Sequence, residues 1–391
     1  MTPGDGTVGG GSAVHRMGRR RLLRGLGALA ALALVAGCWA CSPVYVVKAG
    51  LAEWRILRAR QPIPEVLTDP ATPSDTRDKL AFVAEARRFA ADELAIDVGG
   101  AYSQFTALES DTLALVLSAA HRDRLASRTW WFPVVGHVPY KGFFDEGDAR
   151  SEEAELQEEG FDTYLRPTAA FSTLGWFDDP VLSSMLRSDE IEAVETVLHE
   201  LAHRYLFASG RVRFNESFAT WVGRAGAVVF FCGRDGGGPD TVKCARAEAR
   251  WRDYQRFGVF IDGLVAELQA VYADSTLDRE AVLERRDRIF ASALDRFDTR
   301  VQPTFESITF GGFRSTPLNN ATLLARMRYY HRLPDFAELQ AEKGGLAPAM
   351  AYLRDGLEEV DDPFTLLPGA GVESQADEAD LAPGAEERSF Y

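Results

Sequence analysis

The sequence predicts an α+β fold that is mainly helical, with a small sheet ahead of a histidine-bearing helix and a helical C-terminal half. Three observations predict it. Residues 128–144, RTWWFPVVGHVPYKGFF, are aromatic and β-branched and are broken by Pro and Gly, as short strands and turns are. From residue 189 onward apolar residues recur at helical spacing. Of the 391 residues, 46% are apolar, enough for a sizeable core.

The N-terminus reads as a targeting segment. Arg19, Arg20, Arg21 and Arg24 precede the apolar run GLGALAALALVAG, which is too short to span a bilayer comfortably and ends at Cys38. The stretch LVAGC resembles a bacterial lipoprotein signal. That resemblance implies that Cys38 is lipidated and tethers the chain to a membrane of the cell envelope, facing the periplasm. Trp39 is not the acidic residue type linked with inner-membrane retention, so the outer membrane is expected. Residues 1–38 are read as signal, 39–367 as a single catalytic domain, and 368–391, rich in Gly, Ala, Asp and Glu, as a disordered acidic tail. The formal charge of −15 and the lack of a basic stripe with interleaved aromatics exclude nucleic acid as a partner. A compartment outside the cytoplasm permits disulfides. With Cys38 lipidated, Cys232 and Cys244 are the natural pair around GRDGGGPDTVK, leaving Cys41 over.

The elements follow in order. Helices are expected over 51–60 and 74–95, around the proline-punctuated loop QPIPEVLTDPATPSD. Residues 109–121 fit a helix or a strand. Residues 128–144 read as strand, turn and strand. DEGDARSEEAELQEEG reads as an acidic helix ended by Gly160, and FDTYLRP and TAAFSTLGWF as two short strands. A helix over 190–207 is capped by Asp189, with Glu192 completing a capping box, and is stopped by Gly210. A second helix begins near Asn215, its expected cap, and runs through Phe231. Long helices over 243–274 and 277–298 and shorter ones over 319–356 complete the chain.

The helix over 190–207 carries LHELAHRYLF. His199 and His203 are four apart and share a face, so both imidazoles can reach one ion at the zinc–nitrogen distance of about 2.0–2.1 Å. Glu200, offset by about 100°, reaches a water on the ion's open side, the division of labour of an H-E-x-x-H metalloprotease. Catalytic zinc needs a third protein ligand. Glu216 is the strongest candidate, because a short loop returns the chain and brings the start of the next helix beside His203. Glu195, four before His199, reads as a supporting or surface residue. Asp178 and Asp179 precede the helix.

H-E-x-x-H followed by N-E on the next helix resembles the gluzincin metallopeptidases. The resemblance implies a zincin-like fold, with His199, His203 and Glu216 holding Zn2+ and Glu200 as general base. The 12 residues between His203 and Glu216 are fewer than thermolysin-like enzymes have. A closer match spans most of the mature chain: WWFPVVGHVPYKGFFDE, STLGWFDDPVLSSML, LHELAHRYLF, FNESFATWVG and PLNNATLLARMRYYHRLPDF together resemble a family of bacterial lipoproteins described as predicted aminopeptidases. This implies a peptide substrate and an aminopeptidase.

Among Tyr329, Tyr330 and His331 as donors to a developing oxyanion, Tyr330 is the choice, and Asn319 and Asn320 are candidate supports. An acid must hold a free amine, and spacing chooses neither Asp178 nor Asp179. His137 reads as structural, and residues 170–177 as a sheet edge that could receive a peptide. The alternatives are an endopeptidase or other amide hydrolase on the same scaffold, and a non-catalytic metal-binding envelope lipoprotein.

Overall fold

The computed structural model describes residues 54, 56–108, 114–132, 136–143, 145–168 and 178–369. The signal with Cys38, most of the strand expected over 168–177 and nearly all of the acidic tail lie outside these residues.

The described chain is mainly helical with small sheets. In order it forms β1 (Gln61–Pro62), α1 (Ile63–Thr68), α2 (Ser74–Asp92), β2 (Gln104–Thr106), β3 (Ala114–Ala120), β4 (Trp130–Phe132), β5 (Gly136–Val138), β6 (Lys141–Phe143), α3 (Glu146–Glu158), β7 (Asp162–Thr168) and β8 (Val181–Leu182). There follow α4 (Glu190–Tyr205), α5 (Val212–Gly233), α6 (Val242–Tyr272), α7 (Arg279–Arg296), α8 (Gly311–Ser315), α9 (Asn320–Tyr330), α10 (Leu333–Glu342) and α11 (Leu346–Gly356). The loop expected between the first helices thus contains α1, which begins with Pro64 in its first turn, where the missing N–H is tolerated.

The expected single sheet is three small ones: β1-β2-β8, β6-β3-β7 and the hairpin β4-β5. The only long pairing among the described residues is β3 with β7, antiparallel from Ala114 opposite Thr168 to Ala120 opposite Asp162. Within the ambiguous run, residues 114–120 are thus a strand whose neighbours lie far along the chain. The acidic helix α3 covers that sheet, with Leu117, Ala119, Trp130, Phe143, Ala149 and Leu156 between them. No helix among the described residues is long and apolar enough to cross a membrane.

Two further cores build the helical body. One packs α2, α4 and α5 around Leu80, Val194, Leu198, Phe218 and Trp221. The other is an aromatic cluster of Phe257, Phe297 and Phe313 joined by Leu323 and Met327, between α6, α7 and α9.

Helix α4 forms where the sequence predicts. Asp189 caps it by accepting from the Glu192 N–H at 2.9 Å, and Ile191, Val194, Leu198 and Leu201 line its buried face. It ends at Tyr205, and the chain turns through Gly210 with φ of 71°. Helix α5 starts at Val212, one turn earlier than expected, so Asn215 is not its cap. The Asn215 amide instead accepts from Ala208 N and donates to Ala208 O, both at 2.8 Å, and ties the connecting loop to the helix. Helix α5 is buried on nearly every side, as a central helix is. A disulfide joins Cys232 at its end to Cys244 in the first turn of α6. Closing so short a loop contributes about 3 kcal/mol.

The antiparallel pair α4 and α5 is unusually close at Gly223. A Cβ there would stand 2.6 Å from the Glu195 carbonyl oxygen and 3.0 Å from His199 Cβ. Glycine inside a helix normally destabilises by about 0.5–1 kcal/mol relative to alanine. At Gly223 the sign reverses, because overpacking costs about 1–3 kcal/mol. Gly223→Ala is therefore expected to lower the thermal unfolding midpoint, whereas Gly263→Ala on α6, where no atom lies near a new Cβ, raises it or leaves it unchanged. Parallel calorimetric scans of the two variants check this; a Gly223→Ala protein as stable as the Gly263→Ala protein would refute the close-packing account.

Candidate functional site

Spacing on α4 puts Glu195, His199 and His203 on one face, four residues apart. On α5, Glu216 and Gly223 are seven apart, close to two turns, and so also share a face. Gly223 brings these two faces together, and the ligand candidates meet towards the end of the hairpin that carries the connecting loop.

Glu216 Oε2 lies 3.4 Å from His199 Nε2 and 3.8 Å from His203 Nε2. The two imidazole rings are 5.0 Å apart and nearly perpendicular, at 85°. One ligand atom from each residue falls within 4.8 Å of the others. A tetrahedral ion with bonds of about 2.0–2.1 Å sets ligand separations of about 3.3–3.5 Å, so two nitrogens and one carboxylate oxygen fit zinc in both chemistry and spacing. The other such cluster among the described residues, Cys232, Cys244 and Glu248, has its sulfurs consumed by the disulfide.

The electrostatics suit the same use. Burial pulls the His203 pKa down to about 4, with the His199 charge acting in the same direction and Glu216 opposing. The ring is therefore neutral at neutral pH, the form that binds metal. Burial raises Glu216, but the His199 hydrogen bond and the charges of His199, His203 and Arg328 outweigh it and hold the carboxyl below its ordinary value. Glu200 goes the other way. Burial lifts it above the usual carboxylate range against His199, and the negative charges of Glu216 and Asp179 add to the lift. Two neighbouring carboxyls thus shift in opposite directions: Glu216 gives up its proton more readily than an ordinary carboxyl, and Glu200 holds its proton more tightly.

Glu195 is neither a surface residue nor a ligand. It is fully buried and grips Arg250, with Nη2 at 2.8 Å and Nε at 3.1 Å, and it also bonds Arg224. This ion cluster ties α4 to α5 and α6 directly behind His199.

Tyr329 stands beside His199. Its ring centre is 6.1 Å from that of His199. Burial raises its pKa above the ordinary value, Glu216 and Glu200 add to this, and Arg166 and Arg328 oppose, so its O–H remains a donor at neutral pH. Tyr330 is not brought to the metal ligands. It stacks on Tyr254 at 5.5 Å and meets Phe257 edge-on at 4.9 Å. Adjacent helical residues point about 100° apart, so only one of the pair can face α5. Spacing within RMRYYHRL carries no signal for which.

The remaining candidates have structural partners. His331 Nδ1 pairs with Asp262 at 2.7 Å at the end of α9. Asn319 caps α9, accepting from Thr322 N, and the buried Asn320 donates to His121 O and Arg124 O and accepts from Tyr272. His137, on β5, lies 3.2 Å from the Thr129 hydroxyl. Of the two aspartates, Asp178 is exposed and lies against Gly100, where an added Cβ would come 2.2 Å from its Oδ2. Asp179 is half-buried, its carbonyl accepts from Tyr102 N at 2.8 Å, and its charge acts on Glu200. Tyr102, in left-handed backbone with φ of 56°, also faces Glu200: burial raises its phenol, and Glu200 and Asp179 raise it further. Sequence reasoning had no handle on Tyr102, which belongs to no motif.

No curated protein and no solved structure gives a significant match to the chain. A family model described as "Putative aminopeptidase" matches residues 44–361, which contain the whole His199–His203–Glu216 constellation and every tyrosine and acid around it. A match over so much of the sequence settles the kinship: the chain belongs to this family, whose description suggests a peptidase.

Proposed function

We propose that the protein is a zinc-dependent aminopeptidase, held at the bacterial envelope by a lipid on Cys38 and facing the periplasm, with the outer membrane as its site. The observation that carries the catalytic reading is the convergence of His199 Nε2, His203 Nε2 and Glu216 Oε2 at zinc-ligand spacing beside a carboxyl with a raised pKa. The anchoring rests on the basic, apolar and LVAGC segments of the sequence.

His199, His203 and Glu216 would hold the zinc ion. When bound, zinc supplies an acidified water and polarises a carbonyl. Glu200 takes the proton of the attacking water and delivers it to the leaving amine. Tyr329 donates its O–H to the oxygen on which negative charge develops, which is the role expected of Tyr330 and transferred here to its neighbour. Asp179 supplies the negative charge that a free terminal amine needs near the base.

Three outcomes test this. Glu216→Ala is expected to reduce zinc affinity by more than about 100-fold, read by elemental analysis and chelator competition; full zinc retention removes Glu216 from the ligand set. Glu200→Gln is expected to keep wild-type zinc content and lose about 10²–10⁴-fold in kcat; unchanged turnover excludes Glu200 as the base. Unblocked peptides are expected to be cleaved and their N-acetyl counterparts spared. Equal cleavage of both would make the enzyme an endopeptidase, and a zinc-loaded protein that cleaves neither would be a metal-binding lipoprotein without turnover.

A further inference from the structure

Residues 361–369 lie beside the start of α5, and two arginines hold them there. Arg211 Nη2 donates to Asp361 O at 2.6 Å. Arg332 Nη1 donates to Phe364 O at 2.8 Å, and its Nη2 to Pro368 O at 2.9 Å and Gly369 O at 3.2 Å. Asp362 accepts from Phe364 N at 3.0 Å and starts the short turn Pro363–Leu366. This strap seats one large side chain: Phe364 is 5% exposed. Its ring meets Phe214 of α5 edge-on at 5.3 Å and His331, just after α9, edge-on at 4.7 Å. The Arg213 guanidinium lies 5.6 Å from the ring centre. The family match ends at residue 361, so nearly all of the strap lies beyond it.

Glu216 is the fifth residue of α5, and helix ends fray. Arg211, the residue before the helix, makes no side-chain capping bond to the first N–H groups of α5. The placement of this end must therefore come from packing. Residues two apart on a helix point about 200° apart, so Phe214 and Glu216 occupy nearly opposite sides of α5. Glu216 faces the imidazoles on α4, at 3.4 and 3.8 Å. Phe214 faces the other way, onto Phe364 and, at 6.0 Å, Phe336. Phe364 stands behind the turn that presents the third ligand.

We propose that Phe364 is a positioning residue for the metal site: seated by Arg332 behind Phe214, it fixes the first turn of α5 and so holds Glu216 within reach of an ion shared with His199 and His203. The inference rests on the zinc-ligand reading of those three residues. With the ring removed, the turn can retreat from α4 into the vacated space and take Glu216 with it. The two histidines, on α4, stay where they are. The signature is a loss of zinc affinity that runs through Glu216.

Chelator competition on the full chain tests this, with folding checked by circular dichroism. Phe364→Ala is expected to weaken zinc binding about 10–100-fold, the size of effect seen when a group that orients a ligand is lost. Phe290→Ala removes the same ring from the separate aromatic core and is expected to lower the unfolding midpoint with zinc affinity at the wild-type value. In a Glu216→Ala background, Phe364→Ala is expected to leave the residual zinc affinity unchanged, because residues that act through one another are not additive. Wild-type affinity in folded Phe364→Ala overturns the proposal. So does an equal loss in Phe290→Ala, or a full further loss in the Glu216→Ala background, since either would mean general loosening. If Phe364→Ala does not fold, Phe364→Leu against Phe290→Leu makes the same comparison. Failure of the zinc-ligand reading has a different signature: Glu216→Ala itself keeps full zinc affinity.

Discussion

The close antiparallel contact of α4 and α5 is the constraint on which the site depends. Two imidazoles on one helix face can be had from spacing alone, but the third ligand comes from another element, and its position is set by how near that element lies. Gly223 removes the side chain that would keep the helices apart at the level of Glu195 and His199. Glu195 then bonds Arg224 of the partner helix and Arg250 of α6, locking the contact from behind. Asn215 closes the other end by satisfying both backbone groups of Ala208 in the loop. None of these three residues is a ligand, yet together they determine where Glu216 stands relative to the histidines.

That geometry also produces the electrostatics. Packing the hairpin desolvates His203 and favours its neutral form, while the imidazoles beside Glu216 favour its charged form. Both shifts favour the protonation states that bind a cation. Glu200, one residue along from His199, projects away from the ligand face and gains no such hydrogen bond, so burial and the neighbouring carboxylates dominate and its proton affinity rises. The opposite shifts of two nearby glutamates are thus a consequence of which helix face each occupies.

What was legible in the sequence was local. The span and cap of α4, the four-residue spacing of the histidines and the proximity of Glu216 after a short loop follow from helix geometry and turn length. What was not legible depended on partners far along the chain. Residues 114–120 became a strand because residues 162–168 pair with them, and the β-rich stretches formed three sheets because short strands found different neighbours. Glu195 shares the face of His199, but only the placement of Arg250, on α6, decides that this face is buried there. That Tyr329 and not Tyr330 lies beside His199, and that Asp179 acts on Glu200, turns on side-chain directions that residue order does not encode. The start of α5 was misplaced because Asn215 is a typical capping residue, and here its amide was engaged by the loop instead.

The same constraints tie the mutual placement of His199, His203 and Glu216 to the packing of the fold. Small zinc domains are organised by their metal, and the binding free energy is then largely folding free energy. Here the ligand-bearing helices are packed through Val194, Leu198, Phe218 and Trp221, joined by buried ion pairs, and extended by a disulfide at the far end of α5. The side chains of His199, His203 and Glu216 meet on that scaffold.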